Sequence, residues 1–98
     1  MAYRISERAF EDIENIWLYT LKNWSVEQAD RYYNLILNEI EYIAENPLAG
    51  KDYGYLRKDY RCSIVKSHLI FYKYKKREGI IEVIRILHQS MDIEERLK

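Results

Sequence analysis

The sequence is short of the residues that build special architectures. Its 98 residues hold one cysteine, one proline, three glycines and two histidines. A single thiol, Cys62, cannot close an internal disulfide. No His/Cys spacing fits a zinc site, so no metal or other cofactor is expected. Scarce glycine and proline exclude collagen-like and linker-like chains. A composition 48% apolar and 33% charged belongs to a folded domain rather than a disordered one. No apolar run approaches the roughly 18 residues of a membrane span, and the opening Met-Ala-Tyr-Arg-Ile-Ser-Glu is not a signal peptide. The expectation is a cytoplasmic protein in a reducing compartment.

What is present is aromatic and unevenly charged. Ten tyrosines are many for this length. Tyrosine buries a ring while leaving a hydroxyl for a polar partner, so these residues either close a small core or meet another protein. One domain is expected, spanning residues 1–98; at this size only about two-thirds of the unfolded surface is buried and the stability margin is thin. Net charge is zero, yet residues 1–50 carry four basic groups against nine acidic, and residues 51–98 carry twelve against seven. The stretch from Arg57 to Arg77 is densest in cations. It reads either as a face for an acidic partner or as a sheet edge kept soluble by lysine.

Hydrophobic spacing gives the element order. Tyr3 to Ile5 is a short first strand, and Ser6 caps a helix whose stripe is Phe10, Ile13, Trp17, Thr20 and Trp24, widened by Ala9 and Ile16. Trp24 sits at the helix–helix corner and is expected in the core. Ser25-Val26-Glu27-Gln28 is a capping box in outline. It opens a second helix with Ala29, Tyr33, Ile36, Ile40 and Ile43 on one face, ended by Asn46-Pro47. Leu48 to Leu56 is a loop. Tyr60–Val65, Ser67–Lys75 and Ile80–His88 are strands, and Asp92 to Lys98 forms a helical turn or frays. A three-residue loop, Arg77-Glu78-Gly79, with glycine in the left-handed position, pairs Lys76 with Ile80. That register places Ile70, Tyr72, Ile84 and Ile86 beneath the helices and leaves Leu69, Phe71, Lys73, Lys75 and Arg85 on an open face. The fold class is therefore α+β: an N-terminal strand, then an antiparallel helical hairpin packed on a largely antiparallel β-sheet.

Several strings resemble the ParE toxins of the RelE/ParE superfamily. Ile84-Arg85-Ile86-Leu87-His88-Gln89-Ser90-Met91-Asp92 is similar to the end of that family's last strand. Ser67-His68-Leu69-Ile70-Phe71-Tyr72 and Leu56-Arg57-Lys58-Asp59-Tyr60-Arg61 resemble the segments before it. Asp12-Ile13-Glu14-Asn15-Ile16-Trp17 and Ala44-Glu45-Asn46-Pro47 resemble its helices. The resemblance runs over essentially the whole chain and implies the RelE/ParE-like fold. It also implies the role of toxin in a type II toxin–antitoxin pair, of the kind associated with plasmid stabilisation. A ParD-like antitoxin would wrap the toxin in a hetero-oligomer and contact DNA on its behalf. The implied target is DNA gyrase, whose inhibition blocks replication.

RelE-type relatives instead cut mRNA on the ribosome. That chemistry needs cations at the scissile phosphate and groups to move protons, for which Arg57, Arg61, Arg85 and His88, with His68, are the candidates. The hairpin register sets both histidines apart from Arg85, which favours a structural use such as capping a loop or pairing with Asp92. A binding protein rather than an enzyme is expected, with ribosome-dependent RNA cleavage as the alternative. A degenerate toxin kept as antitoxin partner and operon regulator is a further one. For the antitoxin, Trp17, Leu18, Leu21, Tyr32 and Leu37 offer apolar groups on the helical hairpin, and Phe71, Lys73, Lys75 and Arg85 an exposed sheet face for an extended segment. Arg85 is expected exposed there, or else paired with Asp59 or Glu82. Target-contacting residues are not legible.

Overall fold

The computed structural model describes residues 2–98. The elements are β1 (Tyr3–Ile5), α1 (Glu7–Asn23), α2 (Val26–Glu45), β2 (Lys51–Asp52), β3 (Tyr60–Val65), β4 (His68–Lys75), β5 (Ile80–His88) and α3 (Ile93–Arg96). The five strands form one sheet in the order β1-β5-β4-β3-β2. β1 lies parallel to β5, and the other pairs are antiparallel. The two-layer α+β architecture is as expected, with β2 a two-residue strand inside what reads as loop.

The helix starts follow from their caps. The Ser6 side chain accepts from the Ala9 amide at 3.0 Å, and that of Ser25 from the Gln28 amide at 3.1 Å. Each satisfies one donor that a first helical turn leaves free. α2 buries Ala29, Ile36, Ile40, Ile43 and Ala44, so its predicted stripe holds except at Tyr33, which is 38% exposed. α1 is rotated from its expected face. Ala9 and Ile13 are buried, while Phe10 is 61% and Trp24 66% exposed. The helix lies along the edge of β5 as well as over it, and this turns its inner side toward Ala9 and Asp12.

The hairpin register is half right. His68 to Phe71 pair with His88 to Arg85 as expected; a bulge then shifts Tyr72 opposite Val83 and Lys75 opposite Ile80. The turn is therefore the four residues Lys76 to Gly79, with Gly79 in the left-handed region at φ 68°. An extra residue in one strand exchanges its faces beyond that point. Ile81 and Val83 consequently join Ile70, Tyr72 and Ile86 beneath the helices, and Ile84 packs on the other side of the sheet.

That other side is not open. Tyr53 and Leu56 from the loop before β3, and Ile93 and Leu97 from the C-terminal turn, pack with Tyr60, Cys62, Phe71 and Leu87 into a second small core. Phe71 is fully buried. Cys62 is buried too, and burial pushes its thiol up to about 11, so it is a core residue rather than a nucleophile. The loop after α2 is drawn onto the sheet by one tyrosine. The Gly50 amide donates to the Tyr72 hydroxyl at 2.9 Å, and that hydroxyl donates to the Pro47 carbonyl at 2.8 Å. Only glycine fits there, since a Cβ at position 50 would lie 2.4 Å from the Tyr72 oxygen.

Candidate functional site

β1 ends at Ile5, opposite Val83, so the second half of β5 has β4 on one side and no strand on its outer edge. α1 takes over this edge through side chains. Ser6 Oγ donates to the Ile84 carbonyl at 2.8 Å. The Ile86 amide donates to Asp12 Oδ2 at 2.9 Å. The same carboxylate receives Arg85, with Nε to Oδ2 at 2.9 Å and Nη2 to Oδ1 at 3.0 Å. Arg85 also reaches the Arg96 carbonyl at 3.4 Å. Its side chain is 11% and that of Asp12 13% exposed. The Asp12 hydrogen bonds hold the guanidinium pKa above its ordinary value, against an opposing push from burial. The expected exposure of Arg85 is thus corrected: its partner is Asp12 on α1, not Asp59 or Glu82. A forked, two-point pair is how a charge inside a strand becomes tolerable.

Beyond this pair the edge opens into a groove of about 950 Å³. Asp12, Ile16, Tyr19 and Thr20 of α1 and Trp24 form one wall; Gln28, Tyr32 and Leu35 of α2 form another. The third consists of Lys66 to His68 with Arg85, Ile86 and His88. Both histidines therefore share a groove with Arg85, contrary to the separation expected from the register. They stand opposite each other across β4 and β5, with ring centroids 5.2 Å apart and edge to face. The Tyr32 hydroxyl donates to the Val65 carbonyl at 3.2 Å and lies 2.5 Å from His68 Nδ1. Burial, then the neighbouring His88, pull the His68 pKa down to about 4, against a weaker opposing effect of Asp12. At neutral pH this ring is uncharged. His88 Nδ1 accepts the Ser90 amide at 3.0 Å and lies 2.7 Å from its hydroxyl. It caps the turn after β5, one of the two structural uses expected; the alternative partner, Asp92, instead caps α3 through the Glu95 amide at 3.2 Å.

The four nuclease candidates do not converge. Arg61 is tied to the loop after α2, with Nε to the Gly50 carbonyl and Nη2 to that of Leu48, both at 3.1 Å. Arg57 is exposed on the loop before β3. Neither lines the groove that holds Arg85 and His88. The residues expected to meet an antitoxin also separate. Leu18 is 48% exposed; Trp17, Leu21 and Tyr32 are half-buried; Leu37 packs against the main core. Phe71 and Arg85 are buried, and Lys73 and Lys75 half-buried. On the outer side of the hairpin, Phe10, Ile13, Glu14, Trp17, Asp30 and Tyr33 frame a shallower hollow of about 290 Å³, where Trp17 Nε1 donates to Asp30 at 3.0 Å. Tyr19 and Trp24, 6.1 Å apart and both largely exposed, are the aromatic groups that reading the stripe as core misses. The available signal is an apolar set on α1 too wide for one buried face.

Comparison with known proteins places these features. Residues 3–93 match the family described as "ParE toxin of type II toxin-antitoxin system, parDE". The chain is 43% identical over 90 residues to "Toxin ParE1" of Caulobacter vibrioides, covering 92% of this chain and 91% of that one. It is 37% identical over 95 residues to "Toxin ParE1" of Mycobacterium tuberculosis, covering 97% and 96%. Its fold is similar to a solved structure titled "Chromosomal ParDE TA system from P. aeruginosa", with a TM-score of 0.75, 16% identity, and 90% and 95% of the two chains covered.

Proposed function

The chain belongs to the ParE toxins of type II toxin–antitoxin systems, and from that premise we propose that it acts by binding, not cleavage, with DNA gyrase as target and a ParD-like antitoxin as its neutralising partner. The observation that favours binding over RNA cleavage is the dispersal of Arg57, Arg61, Arg85 and His88. Arg57 and Arg61 lie outside the groove that holds Arg85 and His88; Arg61, Arg85 and His88 are each held in unrelated hydrogen bonds, and His68 is kept neutral against Tyr32. Ribonucleolytic acid–base work needs a proton donor and acceptor flanking one phosphate, with cations beside it. No helix among the described residues is long and apolar enough to cross a membrane.

The antitoxin contact is assigned to the helical hairpin and the groove beside it. Trp17 and Leu18 on α1, Tyr19 and Trp24 at its end, and Tyr32 on α2 give an apolar helix of the partner rings to pack on, where part of their area is already exposed. Phe71 and Arg85 drop out of this surface because they are internal. Induction in a bacterial host tests the reading. Expressed alone, the chain halts thymidine incorporation while leucine incorporation continues, and co-expression of the acidic product of a neighbouring reading frame restores growth. An immediate arrest of leucine incorporation, with cut mRNA, would move the chain to the ribosome-dependent nucleases.

A further inference from the structure

We propose that the end of the sheet formed by β2, β3 and β4, on the side away from the helices, is a platform for an unpaired nucleic-acid strand. This goes beyond the toxin reading and does not depend on the identity of the target.

Strand register puts the necessary groups on one side. Lys51, Cys62 and Phe71 form one row across β2, β3 and β4, and Tyr60 and Lys73 lie in the same alternation. At the far end this side is closed by Ile93 and Leu97; at the near end it is finished by aromatic rings and cations. Lys51 Nζ lies 5.7 Å from the centre of the Tyr53 ring, and Lys73 Nζ lies 5.8 Å from that of Tyr60. Tyr53 is fixed edge-on against Phe71 at 5.3 Å, and Tyr55 stacks on it at 5.3 Å and 30°. Tyr55 is nonetheless 73% exposed, so a ring stacked on a rigid neighbour still offers area to a ligand.

Cations outnumber carboxylates around these rings, although Glu82 stands opposite Lys73 in the strand register. Arg57 and Lys58 are exposed on the loop carrying Tyr55. Among the described residues, the ion pairs use Lys75, which takes Glu82 at 3.4 Å, but none uses Lys51, Arg57, Lys58 or Lys73. Of the nearby carboxylates, Asp52 stands in the opposite row, across from Arg61 in the strand register, and accepts the Gly54 amide at 2.7 Å. Asp59 shares the loop.

Cations beside an exposed ring match a strand with phosphates and free base faces. An acidic peptide would use the cations and leave the stacked tyrosines idle. A duplex presents no free base face to Tyr55. Both histidines lie away from this end, at the groove beside α1, so the platform holds a strand without the groups that would cut it.

Fluorescence anisotropy of the intact chain with a labelled oligo-dT tests this, at a length of about 12 nucleotides, within the range of such sites. Four phosphate contacts predict a log–log salt slope of roughly −2 to −3. Tyr55→Ala is expected to weaken binding roughly tenfold by loss of base stacking. The pair Lys51→Gln and Lys73→Gln flattens the slope by about 1.4. Tyr42→Ala, at an exposed ring on α2, leaves binding unchanged, and circular dichroism confirms that each variant is folded. An oligo-rU probe run in parallel separates DNA from RNA preference, and tight binding of either supports the platform. No binding at low salt overturns it, and so does binding indifferent to Tyr55→Ala. Equal binding of poly-glutamate with the same dependence on the lysines reassigns the face to an acidic peptide. Because no topoisomerase is present, the outcome is separable from that of the gyrase reading.

Discussion

Replacing Asp12 by alanine removes three hydrogen bonds at once: two from Arg85 and one from the Ile86 amide. What remains for the guanidinium is the Arg96 carbonyl at 3.4 Å. Breaking a buried ion pair by deleting one partner costs about 3–5 kcal/mol, and an unpaired buried amide about 1–3 kcal/mol. The sum is too large here, because Arg85 borders the groove and can turn toward water. About 3 kcal/mol is the working figure. For a domain of this size that lowers the melting temperature by roughly 12–24 °C and removes a large part of a total near 5–15 kcal/mol. The assay is urea denaturation of the wild type, Asp12→Ala, Arg85→Met and the double variant, compared at equal m-value. The double variant should lose much less than the sum of the singles, since it strands no charge. A loss below about 1 kcal/mol for Asp12→Ala, or strict additivity, would refute the view that this pair anchors α1 to the sheet edge. Arg85→Glu, which would test a surface role, is expected to unfold the protein instead.

Three further perturbations read other parts of the structure. The His68 pKa falls from 6.5 to about 4 on folding, so the unfolded chain takes up a proton that the folded one refuses. The sign follows: this contribution is complete above pH 6.5, shrinks as pH falls, and is gone below about 4. Its ceiling is about 3 kcal/mol, reduced to roughly 2 kcal/mol because the ring borders an open groove; a stability–pH profile of His68→Gln should lack that part of the slope. Gly50→Ala drives a methyl into the Tyr72 hydroxyl and should cost about 2–3 kcal/mol, measured by thermal melting. Trp24→Ala should leave stability within about 0.5 kcal/mol, as the ring is largely exposed, yet weaken antitoxin binding by tenfold or more in calorimetry.

The architecture was legible because its signals are local. A serine cap, an apolar stripe stepping 4-3-4-3 and a Pro47 stop specify α2, and β-branched and aromatic runs specify β3 to β5. What escaped reading is long-range. A single bulge between Phe71 and Tyr72 exchanges Ile84 for Val83, and no residue there announces it. Asp12 reads as an acid near a helix N-terminus, favoured by the helix dipole; its real partners lie 73 and 74 residues away. The covering of the second sheet face is hidden from the sequence for a similar reason. Ile93 and Leu97 look like a fraying tail until the fold lays them over Phe71 and Leu87. Trp24 looks like core by spacing alone, but two helices and one sheet cannot cover every ring of so aromatic a chain.

The proposed target of this toxin is gyrase, stopped by binding rather than by cleavage. A supercoiling assay with purified gyrase, run beside ribosome-programmed mRNA on the same sample, tests it most directly. Loss of supercoiling with intact mRNA is expected, with supercoiling restored when the ParD-like partner is added in equal amount. Normal supercoiling from folded chain would contradict it; together with cut mRNA, that result would make the toxin a nuclease.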